Sequence, residues 1–235
     1  VLKGELIGKP AGFISAAVHA PTSGTVKSLT RMLDPVTGTM VEAVEIAADG
    51  QDAWHESCNR ERQWRSLSPE EIRDAVAQGG LVGLGGATFP AHVKLTPPKG
   101  KTVELVVLNG AECEPYLTCD HRLMLAHPAE IVEGVEIFMR ATGAPRGAIA
   151  VEDNKPDAIQ ALREAASELE NVQVVALPVK YPQGAEKQLI KSLTGREVPS
   201  GGLPVDVGVV VQNVGTAKAA FDAVRWCRPL IDRVM

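Results

Sequence analysis

The sequence predicts an α/β fold: a Rossmann-like parallel sheet flanked by helices, with a small N-terminal β segment before it. Two observations carry this prediction. From about residue 100 onward, short apolar runs alternate with segments of helical period, which is typical of a parallel sheet with helices on its faces. Before residue 50, β-branched runs are separated by clusters of turn residues, which is typical of all-β structure.

The N-terminal β segment covers residues 1–50 and contains two strand-like runs, Thr25–Leu29 and Val41–Ile46. Residues 51–67 carry many charges and two tryptophans without a clear period, so we expect a linker that lies on a surface.

The α/β domain is predicted to cover residues 68–228 and to open with a helix. Ser68 and Glu71 form a capping-box pattern, and Gly79-Gly80 ends the helix. The predicted strands are Val103–Leu108, Ala148–Val151, Val172–Leu177 and Val207–Val211. Helical patterns lie between them: Ile131, Val135 and Phe138 after Pro128; Ile159, Leu162, Ala166 and Leu169 after Pro156; Leu189, Ile190 and Leu193 before Gly195.

Composition excludes several classes of protein. The net charge of −5 is spread along the chain without a basic cluster, so we expect no nucleic-acid partner. The 4 cysteines lack metal-ligand spacing and are predicted to be free thiols, and the 5 histidines are scattered. The uncharged stretch 75–93 is too rich in glycine to span a membrane and is predicted to be a loop. We expect residues 229–235 to begin a following domain of a longer protein.

Polar loops follow each predicted strand, where a parallel sheet binds its ligands. These loops are Asn109–Pro115, Glu152–Pro156, Tyr181–Lys187 and Gln212–Thr216. Their amides, hydroxyls and glycines suit a ligand rich in carbonyl and hydroxyl groups. The alternative is that such residues only end strands and cap helices, as Thr216 could do before the next helix.

The segment Gly79–Pro90 is the most distinctive in the chain because of its glycine density. It does not complete the dinucleotide fingerprint, and it follows a helix instead of a strand. It predicts a backbone-amide surface for a phosphate or a flat ring, with Lys94 nearby as a cation. A flexible hinge is the alternative interpretation.

Two acidic pairs, Glu112 with Glu114 and Glu152 with Asp153, leave three interpretations open. They could bind a hard metal ion, form hydrogen bonds to a ribose or a nicotinamide, or simply be solvated. A metal-dependent enzyme that uses Glu112 and Glu114 is the weakest functional hypothesis that we draw from this sequence. Hydrolase chemistry has no nucleophile elbow to support it.

Four ordered blocks resemble the C subunit of the Rnf (Rsx) ion-translocating ferredoxin:NAD oxidoreductase and, more distantly, the flavin-bearing, NADH-oxidising subunit of respiratory complex I. The blocks are Gly83–Pro90 with Lys94, Asn109–Asp120, Tyr181–Ile190 and Gln212–Thr216. The resemblance runs from about residue 1 to the end of the chain.

The resemblance implies an FMN site formed by Gly83, Gly85, Gly86, Ala87, Lys94, Asn109, Glu112, Tyr181, Gly184, Asn213 and Thr216. NADH would lie against Phe89, Glu114 and Glu186. The implied chemistry is hydride transfer between NAD(H) and the flavin, followed by single-electron steps into two four-iron four-sulfur clusters of a module that follows this part. Implied partners are the other subunits and a ferredoxin-type carrier, at the cytoplasmic face of the bacterial inner membrane, with peripheral attachment.

The first fifty residues also resemble part of a biotinyl/lipoyl-type β-sandwich, through Ala20–Val26. A carrier domain needs a lysine at its hairpin tip, and the turn Asp34–Met40 has none, so we expect a structural clamp. Compared with the complex I subunit, Leu84 and Ala111 replace charged residues. These departures favour an alternative to the flavin-dependent electron-transfer subunit, namely a flavin-free docking subunit of the same kind of membrane complex.

Overall fold

The computed structural model describes residues 1–34 and 37–231. Its N-terminal part contains two small antiparallel sheets, which confirms the predicted β segment. The strands are β1 (Leu6–Gly8), β2 (Val18–His19), β3 (Gly24–Leu33) and β4 (Met40–Ala48). β1 pairs with β2, and β3 pairs with β4 as a long hairpin that contains both predicted runs. The predicted hairpin turn Asp34–Met40 falls partly outside the described residues.

The remaining strands form a parallel sheet, as the alternating pattern predicts. They are β5 (Leu105–Asn109), β6 (Arg146–Glu152), β7 (Val172–Leu177) and β8 (Val209–Asn213). Their order is β7-β6-β5-β8, so β5 and β6 are central and β8 is an edge strand. All three pairings are parallel, and this brings the four polar loops to one edge of the sheet.

Helices cover both faces of the sheet. They are α1 (Pro69–Gln78), α2 (Ala91–Lys94), α3 (Cys119–Ala126), α4 (Pro128–Thr142), α5 (Pro156–Ala165), α6 (Glu186–Thr194) and α7 (Val214–Trp226). The larger core cluster contains buried side chains of α1, α3, α4, α5 and α7, and the smaller one those of α6. Neighbouring residues of β5 belong to different clusters, Val106 to the larger and Val107 to the smaller, as expected for a strand buried on both faces.

Local signals place most helix ends. The Ser68–Glu71 capping box is formed in both directions at the start of α1. Prolines begin α4 and α5, and Gly195 ends α6 with a left-handed conformation. The helix after Pro156 stops at Ala165, earlier than its period predicts, although Ala166 and Leu169 still pack against the core.

Two regions, the predicted surface linker 51–67 and the predicted loop 75–93, contain more packed structure than we expect from the sequence. Trp64, in the expected linker 51–67, is only 4% exposed and belongs to the main core. Its indole N–H donates to Glu133 of α4 at 2.5 Å. Of the predicted loop 75–93, the first residues end α1 and the last begin α2.

Within the part of the chain that the structure describes, no helix has the length and apolar composition that crossing a membrane requires. The predicted segment 229–235 is described only as far as residue 231.

Candidate functional site

The carboxyl ends of β5 and β8 place two amide side chains side by side. Asn109 and Asn213 are register partners, each the last residue of its strand. Glu152 ends β6 on the other side of β5. The parallel arrangement therefore produces the polar edge that the strand-end loops predict.

The glycine loop, defined here as residues 83–89, rests on the junction between β8 and α7. The N–H of Leu84 donates to the hydroxyl of Thr216 at 3.0 Å. A Cβ atom on Gly85 would lie 3.1 Å from Cβ of Asn213, so a larger residue at position 85 would push against that side chain. The cap of α7 is Asn213, whose side chain accepts from the N–H of Gly215, and not Thr216. The buried hydroxyl of Thr216 holds the glycine loop instead.

The other side of the glycine loop is open. Gly85, Gly86 and Ala87 are exposed, and a Cβ atom on Gly86 would meet nothing within 4 Å. The loop is closed at its base by a hydrogen bond from the N–H of Gly83 to the carbonyl of Phe89, at 2.8 Å. An accessible backbone without side chains at the carboxyl edge of a sheet suits a phosphate or a flat ring.

Lys94 ends α2, the short helix that follows this loop, and its ammonium contacts two oxygens. Its ammonium donates to Glu186 Oε1 at 2.6 Å and to the carbonyl of Val211, on the edge strand β8, at 2.9 Å. Lys94 and Glu186 both belong to the predicted site, and the structure brings them into direct contact. The ion pair is partly exposed to solvent, so an anionic ligand could reach the cation.

Asn109 joins β5 to the loop before α6. Its amide N–H donates to the carbonyl of Gly184 at 2.8 Å, and the N–H of Gly184 donates to Cys113 Sγ at 3.0 Å. A Cβ atom on Gly184 would lie 2.9 Å from the carbonyl of Ala111, so this close approach requires glycine. The sequence-predicted residues of both loops are therefore in contact.

A cavity of about 410 Å³ lies on the β6–β7 side of these loops. Glu112, Glu114 and Tyr181, three residues of the predicted site, line it together with Tyr116, Lys155 and Lys180. Tyr116 and Tyr181 are exposed at its border. The structure thus divides the predicted residues between the glycine-loop surface and this neighbouring cavity.

Glu112 is buried, with 7% of its surface exposed, and its carboxylate holds the start of α3. Its Oε1 accepts from the N–H of Asp120 at 2.8 Å, and its Oε2 accepts from the N–H of His121 at 3.3 Å. Lys155 lies between Glu152, at 2.9 Å, and Glu112, at 3.9 Å, as the cation of this cluster.

Asp120 contacts two residues of the predicted site, Glu112 and Asn213, although the sequence does not single it out. Its Oδ2 accepts from the side-chain N–H of Asn213 at 2.6 Å. Burial raises the pKa of Asp120 to about 6 and the charge of Glu112 acts in the same direction, while the Asn213 hydrogen bond and Lys155 oppose them. Burial, helped by Asp120 and Glu112, also raises the pKa of the neighbouring Cys119 thiol.

A signal for Asp120 was present in the sequence. Thr118 and Asp120 precede the apolar run Leu123–Ala126, and an acidic residue in the first turn is typical of a helix start.

The acidic pairs do not assemble into a metal centre. Within residues 1–34 and 37–231, no group of three or more His, Cys, Asp or Glu side chains is arranged to hold a metal ion. Glu112 and Glu152 are instead joined to Lys155 and to backbone N–H groups.

Comparison with protein families identifies this architecture. Residues 76–222 match the family described as the Nuo51 FMN-binding domain, which is more than half of the chain. The chain belongs to this family. Residues 1–51 match the RnfC barrel sandwich hybrid domain, in agreement with the β-sandwich resemblance.

Curated relatives confirm the resemblance to the C subunit of ion-translocating ferredoxin:NAD oxidoreductase complexes. The chain is 52% identical over its whole length to the C subunit of the proton-translocating ferredoxin:NAD(+) oxidoreductase complex of Clostridium ljungdahlii, of which it covers 51%. It is 47% identical to the Na(+)-translocating counterpart of Acetobacterium woodii, of which it covers 53%. The chain thus spans about half the length of these relatives. Both relatives are named as subunits of redox complexes.

Solved structures agree with the fold. The NAD+-reducing [NiFe]-hydrogenase matches in its air-oxidized state with a TM-score of 0.60 and 27% identity, over 70% of this chain and 31% of that chain. The H2-reduced state gives a TM-score of 0.58 and 28% identity, over 67% of this chain and 31% of that chain.

Proposed function

We propose that this Nuo51-family chain binds FMN and transfers electrons between NAD(H) and iron-sulfur clusters, as part of a membrane-bound ion-translocating ferredoxin:NAD oxidoreductase complex. The observation that carries the proposal is the open glycine loop, held by Thr216 and Asn213 at the carboxyl edge of the sheet, where Lys94 contacts the edge strand β8. Family membership supports FMN as its ligand.

The residues at this edge fit a flavin nucleotide. The exposed backbone of Gly85, Gly86 and Ala87, next to the half-buried Gly83, offers N–H groups, and Lys94 offers a cation for an anionic group. Asn109, Gly184, Asn213 and Thr216 supply amides, backbone groups and a hydroxyl at the strand ends, and Glu112 and Tyr181 follow at the cavity. When bound, FMN accepts a hydride and gives up electrons one at a time.

The nicotinamide would bind beside the flavin, against Phe89, Glu114 and Glu186. Phe89 is exposed at the end of the glycine loop, and Glu114 lines the cavity. Glu186 is held by Lys94, which restrains its carboxylate. These side chains orient the nicotinamide, and the open loop leaves room for it to stack on the flavin.

The rest of the proposal concerns the whole protein. Two four-iron four-sulfur clusters would lie in the part that this chain does not include, and they would pass electrons to the other subunits and a ferredoxin-type carrier. The proposed location is the cytoplasmic face of the bacterial inner membrane, with peripheral attachment. The names of the relatives, which are subunits of translocating complexes, support the part of this proposal that concerns other subunits.

A titration of the purified chain with FMN tests the proposal. We expect saturable quenching of flavin fluorescence, and anaerobic addition of NADH should bleach the flavin absorption at about 450 nm. Quenching without bleaching would retain the flavin and remove the nicotinamide from the proposal. Absence of quenching would contradict FMN binding by this chain.

Two observations favour a second function, a flavin-free docking subunit. Lys94 is already paired with Glu186, and Leu84 and Ala111 carry no charge where the complex I subunit has one. Absence of quenching together with intact assembly of the complex would support this function.

A further inference from the structure

A chain of hydrogen bonds leads from the glycine loop to a carboxylate behind it. We propose that Asp120 is a positioning residue that makes the flavin site sensitive to pH: its ionised carboxylate fixes the Asn213 side chain on which the glycine loop rests. The proposal takes its ligand, FMN, from the proposed function.

Asn213 is held at both ends of its amide group. Its Oδ1 accepts from the N–H of Gly215 at 2.7 Å, and its Nδ2 donates to Asp120 Oδ2 at 2.6 Å. A backbone N–H can only donate, and an ionised carboxylate can only accept, so one orientation of the amide satisfies both partners. Rotating the amide by half a turn would place like groups against each other at both ends.

The orientation of Asn213 matters to the glycine loop because the two are in close contact. A Cβ atom on Gly85 would lie 3.3 Å from Asn213 Nδ2. The N–H of Leu84 is tied to Thr216 on the same turn of α7. A change at Asn213 therefore reaches the backbone that would face the flavin.

Asp120 itself is anchored from three directions. Its N–H is bound by Glu112, its own helix packs against α5 and α7, and Lys155 faces it from the loop after β6. The charged and titratable groups around it are Glu112, Lys155, Glu152, Cys119 and the surface pair His121–Asp157.

Protonation weakens this anchor. The pKa of Asp120 is raised to about 6, mainly by burial, so the carboxylate becomes neutral as the pH falls from about 7 to about 5. A neutral carboxyl group loses the charge-assisted hydrogen bond from Asn213 and presents a donor of its own. The Asn213 amide under the glycine loop is then held firmly at one end only, by the N–H of Gly215.

The first experiment needs no flavin. The NMR signals of the Asn213 side-chain amide and of the Leu84 and Gly85 backbone amides are followed from about pH 5 to about pH 8. We expect a shared midpoint near pH 6 in the unsubstituted chain, taken from the pKa of Asp120, and no such step in Asp120→Asn. His121 follows Asp120 in α3 and contacts Asp157, so His121→Gln is the matched control and must keep the step. A step that survives in Asp120→Asn, or is missing from the unsubstituted chain, overturns the proposal.

The second experiment measures the FMN dissociation constant over the same pH range. The FMN phosphate also titrates at about pH 6, so each dissociation constant depends on pH for two reasons. The readout is therefore the dissociation constant of Asp120→Asn divided by that of the unsubstituted chain. We expect a ratio of roughly fivefold at pH 8, the loss of one charge-assisted hydrogen bond, and a ratio near one at pH 5, where both side chains are neutral. A ratio that does not change with pH overturns the proposal while FMN binding stands. If the NMR step is present and no FMN binds, the proposed function fails and the positioning of Asn213 stands.

Discussion

Lys94 illustrates how one side chain at the proposed site combines structural and binding roles. Its ammonium joins α2 to Glu186 at the start of α6 and to the edge strand β8. Replacing Lys94 with alanine removes the cation and leaves the Glu186 carboxylate facing an anionic ligand without compensation. We expect the FMN dissociation constant of Lys94→Ala to rise more than tenfold, about 1.4 kcal/mol, in a fluorescence titration.

Lys99→Ala is the matched control for this substitution, because Lys99 is an exposed lysine of the same segment. Its FMN dissociation constant should equal that of the unsubstituted chain. An unchanged constant in Lys94→Ala would remove Lys94 from the site.

Asp120 also gives a prediction that does not involve a ligand. Its pKa is raised from 3.8 to about 6, so the folded state favours the protonated carboxyl group. The stabilising contribution of this protonation to the free energy of unfolding is complete below pH 3.8 and is lost as the pH rises through 6. Asp120→Asn is neutral at every pH. We expect the variant to gain stability relative to the unsubstituted chain between about pH 4 and pH 7, on the order of 2 kcal/mol, in urea unfolding.

Asp49→Asn should show the opposite trend and serves as the control. The hydroxyl of Ser23 and the N–H of Gln51 lower the pKa of Asp49, so its stabilising contribution is present at neutral pH and is lost in acid. A stability difference between Asp120→Asn and the unsubstituted chain that stays constant with pH would contradict a buried, titrating Asp120.

The residues of the proposed site that the sequence indicates and those that only the structure adds differ in what defines them. Asn109 and Asn213 were found because they follow apolar runs, and position after a strand is a local property of the sequence. Asp120 and Lys155 depend on burial that only tertiary packing creates, around Glu112 and beneath the glycine loop. No local pattern states that α3 will turn its first residues towards Asn213.

At the scale of elements, the helices with explicit start and stop signals were predicted well. Capping groups and prolines act over one turn, so they can be read from neighbouring residues. The helices α2 and α3 were not predicted. α2 has only four residues, and α3 begins with Cys119-Asp120-His121-Arg122, a polar sequence without a helical apolar period. Packing beside α5 and α7 and the Glu112 carboxylate stabilise α3 in place of a strong local signal.

The contact between α4 and α7 depends on Gly134. A Cβ atom there would lie 2.3 Å from the carbonyl oxygen of Ala217, so Gly134→Ala forces the two helices apart. Overpacking costs about 1–3 kcal/mol, and a contact with backbone belongs in the upper part of this range, above the gain of about 1 kcal/mol from the helix propensity of alanine. We expect a net loss in the free energy of unfolding, measured with urea.

Gly12→Ala is the control for added volume, because a Cβ atom on Gly12 would meet nothing within 4 Å. Its stability should be close to that of the unsubstituted chain. A gain of stability in Gly134→Ala would show that the helices can separate without cost.

At the scale of the whole molecule, the fold class was predictable from the sequence. Consecutive parallel strands must be joined by a crossover connection, usually a helix, so apolar strand runs alternate with helical segments along the chain. The sheet order was not, since periodicity does not state which strands are neighbours. The glycine loop also required the structure: Leu84 and Thr216 are far apart in sequence, and their hydrogen bond exists only once α1, α2 and α7 are packed.

Packing divides the molecule into parts of different expected stability. Trp64 is buried in the main core and shares Glu133 with Arg225 of α7, so the segment around it should unfold together with the α/β domain. The β3–β4 hairpin has many exposed apolar residues, with Leu29 82% exposed, and isolated hairpins are marginally stable. We therefore expect its amides to exchange with solvent faster than those of β5 and β6 in hydrogen-exchange mass spectrometry.

Trp64→Ala separates these parts experimentally. Removing the buried indole should cost about 3–5 kcal/mol and accelerate amide exchange throughout α4 and α7, whereas Trp64→Phe keeps most of the apolar volume and should have a smaller effect. The hairpin amides should keep their rates in both variants, because their exchange already occurs by local opening. Acceleration of the hairpin in step with α4 would instead show that the N-terminal β segment and the α/β domain unfold as one cooperative unit.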